Sequence, residues 1–237
     1  MSKPDSVTKA INYLEQRHAE ISAAVSHELQ PFIDGMYATG AQSKEFRIFR
    51  ESYLAYQEKY EGKKQLFQSI TKMATPPSLL RLPVEKAYLL FVYLGTIESV
   101  GNSIVDILVM LLVANGRDFH IECRHTTPRI KHVVSIGELE VERVPLTTKL
   151  NFLRDNGISE LVKIIDSDLR NAIAHLDFEV KEDAIYFRKK PAEAVVADGL
   201  FDLLFALSRV RELLDKLAKD RGIAPEDKKD ESKKSSQ

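Results

Sequence analysis

Three polar residues near the end of a predicted helix have the types needed to cut RNA without a metal ion. Arg170, Asn171 and His175 lie in the stretch DSDLRNAIAHLDF, residues 166–178. Histidine exchanges protons near neutral pH, so it can act as acid or base when a 2′-hydroxyl attacks the adjacent phosphate. Arginine keeps its charge and matches phosphate oxygens with a planar fork, while asparagine can position a hydroxyl or the histidine. These three residues are the candidate catalytic site.

The spacing of these residues limits how they can meet. On an ideal helix Asn171 and His175 are about 40° apart and share a face, whereas Arg170 and His175 are about 140° apart. Both can reach one phosphate only if the helix ends near His175 or the arginine bends back. The plainer alternatives are an ion pair of Arg170 with Asp166 or Asp168, and a His175 that only caps the helix.

A polar stripe on an otherwise apolar helix is expected to support the candidate site. Glu98, Asn102 and Asp106 recur every four residues between Pro83 and Ala114. Burying such groups without partners costs about 1–3 kcal/mol each. They must therefore face polar partners, a cleft or solvent. We expect Glu98 to orient Arg170, and the alternative is a solvated stripe.

The periodicity of apolar residues predicts an all-α fold. We expect an N-terminal helical hairpin in residues 1–75, a helical domain in residues 80–218 and a disordered charged tail in residues 219–237. The predicted elements are helices over 5–37, 43–73, 83–114, 145–155, 159–175 and 194–219, irregular structure with or without short strands over 117–145, and a short β-hairpin over 177–188.

The motif and its setting resemble the HEPN superfamily. The signature of that superfamily is an arginine, often followed by a polar residue, and then a histidine after four to six positions. The signature follows a long helix that carries an acidic residue. The resemblance covers residues 80–218. It implies a HEPN-like helical bundle and an endoribonuclease, a toxin or a defence protein that cuts single-stranded RNA to 2′,3′-cyclic phosphate ends. It also implies a homodimer with two motifs facing one cleft.

Two other functions stay open at the level of sequence. One is a non-catalytic HEPN module that binds RNA, a nucleotide or a partner protein, and the other is a purely structural helical dimer. HEPN toxins paired with nucleotidyltransferase antitoxins carry a tyrosine two positions after the histidine, where this chain has Asp177. We therefore do not expect regulation by nucleotide transfer to that position, although an antitoxin or another partner protein is a candidate partner.

Composition favours a cytoplasmic protein. The chain of 237 residues has a formal net charge of −1, which argues against a protein that coats nucleic acid but allows a local basic site. Its single cysteine, Cys123, cannot form an intrachain disulfide. The N-terminus has no secretory signal pattern. Because polar residues interrupt the apolar run 88–116, we expect a buried helix there and no membrane association.

Two weaker patterns could indicate ligand binding, but each also has a purely structural explanation. The segment from His120 to His132 has zinc-ligand residue types without a standard spacing, so neither a metal nor a cofactor is expected. A phosphate-binding rim or a solvated loop suits it better, and the rim residues would be Arg117, Arg124, Arg129 and Lys131. The aromatic stripe from Phe46 to Phe67 could stack bases, but its helical spacing favours packing against another helix.

Overall fold

The computed structural model describes residues 6–73, 83–122, 130–165, 167–175, 179–181, 184–187 and 190–223. Its fold is all-α, as predicted, and it contains small antiparallel sheets. The helices are α1 (Ser6–Ala38), α2 (Lys44–Met73), α3 (Pro83–Thr96), α4 (Asn102–Ala114), α5 (Ile136–Val141), α6 (Leu146–Asp155), α7 (Glu160–Ile164), α8 (Ser167–Ala174) and α9 (Ala192–Asp220). The strands are β1 (His120–Glu122), β2 (Ile130–His132), β3 (Glu179–Lys181), β4 (Ala184–Phe187) and β5 (Lys190–Pro191).

The centre of the fold is a long apolar helix. A π-helical turn, Ile97–Gly101, joins α3 to α4, and the amide of Asn102 bonds to the Ile97 carbonyl. All residues of α4 from Ser103 to Ala114 are buried, mainly against α2 and α6. By length and composition the segment Leu90–Ala114 could cross a membrane, but 83% of its most apolar window is buried within the protein. Burial of an all-round apolar helix is what a core position requires.

The two N-terminal helices belong to the same core. They follow one another through a short turn, as predicted, yet α1 packs mainly along α9 and α2 mainly along α4. One hydrophobic cluster includes side chains from both and from the helices after residue 83. The described aromatic residues of the stripe are all buried, which confirms that they pack against helices: Phe46, Phe49, Tyr53, Tyr56 and Tyr60.

The structure corrects three predicted boundaries. Residues 117–145 contain α5, whose first turn is capped by the Ser135 hydroxyl accepting from the Glu138 amide at 3.3 Å. The helix predicted over 159–175 is interrupted at Ile165, where ψ is 72° and the side chain is buried in the core. Residues 219–223 of the predicted tail are ordered, because Ile223 is buried and its amide bonds to the Ala218 carbonyl at 2.8 Å. The remainder of the tail lies outside the described residues.

The predicted β-hairpin is present. Strands β3 and β4 pair in antiparallel register, with Val180 opposite Ile185 and Lys181 opposite Ala184, and β5 adds to the other edge of β4. A second small sheet pairs β1 with β2. In the sequence, the β3–β4 hairpin and β5 lie between the Arg170–His175 motif and α9.

Candidate functional site

Helix α8 holds the motif on its outer side. Leu169, Ala172 and Ile173 are buried, while Asn171 and His175 are exposed and Arg170 is partly exposed. The buried face anchors the helix, which contacts α3. This amphipathic division follows from the three- and four-residue spacing of the apolar positions. The motif is therefore presented to solvent on a short, anchored helix.

The predicted pair of Arg170 and Glu98 is confirmed. The guanidinium contacts one carboxylate oxygen of Glu98 through both Nε and Nη2, and its Nη1 donates to the Asn171 side-chain oxygen at 2.7 Å. The Arg170 and Glu98 side chains are 30% and 41% exposed. Ion pairs this accessible contribute about 0–1 kcal/mol to stability. The contact thus positions the guanidinium more than it stabilises the fold.

His175 follows the last residue of α8. Its backbone amide bonds to the Asn171 carbonyl at 3.0 Å, so the helix does end beside the imidazole. Among the described residues, no hydrogen bond or ion pair joins the exposed imidazole to Arg170, Asn171 or any other side chain. The Asn171 oxygen is directed to Arg170 and does not hold the histidine. One chain therefore supplies an oriented guanidinium and a separate, accessible imidazole.

The rest of the polar stripe has a partner that the sequence analysis missed. The Lys149 ammonium donates to Asn102 Oδ1 at 2.5 Å and to Asp106 Oδ1 at 2.7 Å. Lys149 is 4% exposed and Asp106 7% exposed. Burial raises the pKa of Asp106, and the Lys149 charge opposes that rise without cancelling it. The signal was available, because Lys149 shares an α6 face with the apolar Leu146 and Leu153.

A polar cleft of about 330 Å³ opens beside Glu98 and this buried pair. The Lys63 ammonium reaches it from α2 and donates to the Ser99 carbonyl at 2.9 Å and to the Ser103 hydroxyl at 3.0 Å. Burial and the charge of the neighbouring Lys59 lower the pKa of Lys63. The π-helical turn carries both Glu98 and Ser99, so an irregular turn of a kind often found at functional sites lines the cleft.

Arg143 lines the same cleft with a left-handed backbone, at a φ of 50°. It follows the end of α5, where its amide bonds to the Glu140 carbonyl and the Val144 amide to the Leu139 carbonyl, both at 3.0 Å. This is the helix-ending motif that usually places glycine at the left-handed position. A residue with a Cβ costs about 1–2 kcal/mol there. Strain of this kind is a reason to ask what the arginine does.

The predicted basic rim is divided in the structure. Lys131 forms ion pairs with Glu138 at 3.1 Å and Glu142 at 3.7 Å, which offset its charge. Arg117 is exposed just after α4, and Arg124 and Arg129 lie outside the described residues. In the part of the chain that the structure describes, no group of three or more histidine, cysteine, aspartate or glutamate residues is placed to hold a metal ion.

A larger cleft, of about 830 Å³, is also lined by Arg143. His120 and Glu122 of β1 line it, together with the segment from Val141 to Pro145. The imidazoles of His120 and His132 lie 5.1 Å apart between ring centroids. Arg143 is thus common to both clefts. Sequence reasoning missed this arginine, because its position depends on the end of α5, which was not predicted.

Comparison of the chain with family models, with curated proteins and with solved structures gives no match in any of the three.

Proposed function

We propose that the protein is a metal-independent endoribonuclease of the HEPN type that cuts single-stranded RNA. The observation that carries the proposal is the Arg170 guanidinium, oriented by Glu98 and Asn171 on the solvent side of α8, five residues before an accessible His175. The resemblance in residues 80–218 agrees with it. A cytoplasmic role in defence or as a toxin is part of the same proposal.

The proposed reaction needs only the RNA and these side chains. The 2′-oxygen attacks the adjacent phosphorus while a base takes its proton, and the bond to the 5′-oxygen breaks as an acid protonates that oxygen. The products are a 2′,3′-cyclic phosphate and a 5′-hydroxyl. Arg170 would stabilise the charge on the phosphorane-like transition state, and Asn171 would position the substrate with its amide. His175 would serve as acid or base.

A homodimer is the arrangement that this chemistry favours. Within one chain no described contact joins Arg170 to His175, and one histidine cannot be both acid and base in the same step. Two chains whose α8 helices face one cleft would supply two guanidiniums and two imidazoles. An antitoxin or another partner protein would then act by separating or covering these faces.

The test compares purified wild-type protein with His175→Ala on single-stranded RNAs of varied sequence in excess EDTA. We expect wild-type cleavage to continue in EDTA and His175→Ala to be slower by at least about a hundredfold, because general acid–base catalysis contributes about 10²–10⁴-fold. The matched control is His18→Ala, which removes a histidine from the distant α1. Equal cleavage by wild type and His175→Ala, or none by either, would contradict the proposal.

A second candidate is a non-catalytic module that binds RNA, a nucleotide or a partner protein. The observation that favours it is the Glu98 carboxylate, which already occupies the Arg170 guanidinium. In this case Arg170→Ala weakens binding and wild-type protein cuts nothing. Binding without cleavage, measured on the same RNAs, separates this module from the enzyme.

A further inference from the structure

Among the described residues, four cations and three carboxylates line the cleft of about 330 Å³ beside Glu98. Two of its lysines are neutralised, since Lys149 is paired with Asp106 and Lys59 forms an ion pair with Glu140. Lys63 differs from them, because the hydrogen-bond acceptors of its ammonium are the uncharged oxygens of Ser99 and Ser103. A partly buried ammonium with only neutral partners favours a bound anion.

Arg143 is the second cation of this kind. Its side chain is exposed and makes no hydrogen bond or ion pair within the described ranges, although it lines the cleft. Its backbone is left-handed, a conformation that glycine would adopt without strain. An arginine at that position offers a planar fork with several donors to a ligand. The fold therefore places an unengaged guanidinium, carried on a strained backbone, in the same cleft as the Lys63 ammonium.

We propose that Lys63 and Arg143 bind a phosphate group in this cleft. Two unmatched positive charges suit a phosphate monoester, which carries about −1.5 to −2 at neutral pH. The volume lies near the lower end of the roughly 300–1,000 Å³ of ligand pockets, enough for one nucleotide phosphate and its surroundings. The ammonium supplies a point charge, and the guanidinium supplies paired donors to the phosphate oxygens.

The position of the site assigns the phosphate to a strand that continues beyond the cleft. Glu98 lines the cleft and forms an ion pair with Arg170, and Arg143 also lines the larger cleft of about 830 Å³. An RNA strand whose 5′-phosphate sits on Lys63 and Arg143 would pass close to Arg170. The placement of RNA for cleavage rests on the proposed function, whereas phosphate binding does not.

The experiment uses wild-type protein and a single-stranded RNA of about ten nucleotides, 2′-O-methylated so that it cannot be cut and labelled for fluorescence anisotropy. The Kd of the RNA that carries a 5′-phosphate is compared with the Kd of the same RNA without it. The variants are Lys63→Met and Arg143→Gly. The control is Lys216→Ala, which removes one exposed positive charge from α9.

We expect the 5′-phosphate to tighten binding about tenfold in wild type and in Lys216→Ala, and to add little in the two cleft variants. The slope of log Kd against log salt should fall by about 0.7 for each lost phosphate contact. A 5′-phosphate effect of equal size in all four proteins overturns the proposal.

Both variants are chosen to remain folded. Arg143→Gly relieves the left-handed backbone, and in Lys63→Met the Ser103 hydroxyl keeps its bond to the Ser99 carbonyl at 3.0 Å. Inorganic phosphate, at constant ionic strength, should raise the melting temperature of wild type and not that of Arg143→Gly. An equal rise in both proteins, alongside an undiminished 5′-phosphate effect, would show that the phosphate sits elsewhere.

Nucleotide and RNA sources of the phosphate are separated by competition. Inorganic phosphate and a nucleoside monophosphate should displace the 5′-phosphorylated RNA from wild type. Neither should alter the residual binding of that RNA to Arg143→Gly. Failure of the two proposals is distinguishable. If the cleft binds phosphate but the protein cleaves no RNA, the proposed nuclease activity is wrong and the phosphate site stands. If the protein cleaves RNA but the two cleft variants bind it as Lys216→Ala does, the phosphate site is wrong and the nuclease activity stands.

Discussion

The exposed pair of Arg170 with Glu98 and the buried pair of Lys149 with Asp106 show two uses of opposite charges, although their carboxylates lie on one helical segment, the π-helical turn and α4. The first pair is partly exposed, with side chains 30% and 41% accessible, whereas the second is 5% and 10% accessible. Solvent screens the first pair, so it costs little to open for a phosphate. The second has lost its hydration, so each of its charges depends on the other.

The exposed pair of Arg170 with Glu98 is therefore suited to binding a ligand, whereas the buried pair of Lys149 with Asp106 serves the stability of the fold. Removing a charge at α8 should change ligand binding and hardly affect folding. Removing a charge at the buried pair should affect folding first. The four predictions below test the contrast from the largest expected effect on stability to the smallest.

Lys149→Met should lower the free energy of unfolding by about 3–5 kcal/mol, because it leaves the Asp106 carboxylate buried without a cation. The measurement is urea denaturation followed by circular dichroism. The double variant Lys149→Met with Asp106→Leu should recover most of the loss, since neither charge remains. A single variant within about 1 kcal/mol of wild type would show that Asp106 is hydrated or protonated when its partner is absent.

Arg143→Gly should raise the free energy of unfolding by up to about 1 kcal/mol. The left-handed backbone costs about 1–2 kcal/mol for a residue with a Cβ, and the greater freedom of glycine in the unfolded chain offsets part of that gain. Arg143→Ala is the matched control, because it removes the same charge and keeps the strain. If glycine and alanine have the same stability, the backbone at this position is not strained.

The coupling of Glu98 with Arg170 should be about 0.2–1 kcal/mol in a double-mutant cycle on stability. The variants are Glu98→Ala, Arg170→Ala and their combination, each measured by urea denaturation. The same Glu98→Ala variant should slow RNA cleavage, because the guanidinium loses its orienting carboxylate. A coupling as large as that of Lys149 with Asp106 would remove the distinction between the two pairs.

Glu138 lies between the two extremes, and its titration should give the smallest effect. Burial raises its pKa, but hydrogen bonds to its carboxylate from the Val134 amide, the Lys131 ammonium and the Ser135 amide outweigh this, so the pKa is held below its usual 4.5. Its stabilising contribution is therefore present above pH 4.5 and is lost as the pH falls through the lowered folded-state pKa.

The corresponding variant is Glu138→Gln, compared with wild type by urea denaturation from pH 6 down to about pH 3. We expect the variant to lose less stability than wild type over this range, by less than about 1 kcal/mol. Asp106 contributes with the opposite sign, because a raised folded-state pKa makes ionisation destabilising as the pH increases. A parallel pH profile for Glu138→Gln and wild type would remove the assigned role of Glu138.

Much of the helical pattern could be predicted, since apolar spacing reports burial directly. The buried helix through Leu90–Ala114, the packing of the aromatic residues from Phe46 to Tyr60 and the hairpin before α9 follow from that spacing. Helix α5 was missed although its first turn has the Ser135-to-Glu138 capping pattern, because the segment is short and rich in β-branched residues.

The sequence by itself determined the all-α class and favoured the pairing of Glu98 with Arg170, because these depend on local periodicity and on the need of a stripe of polar groups for partners. Only the tertiary structure decided that Lys149 satisfies Asn102 and Asp106, and that Lys63 and Arg143 meet at one cleft. These residues lie on segments far apart in the chain, and long-range packing, which no local pattern encodes, brings their charges together.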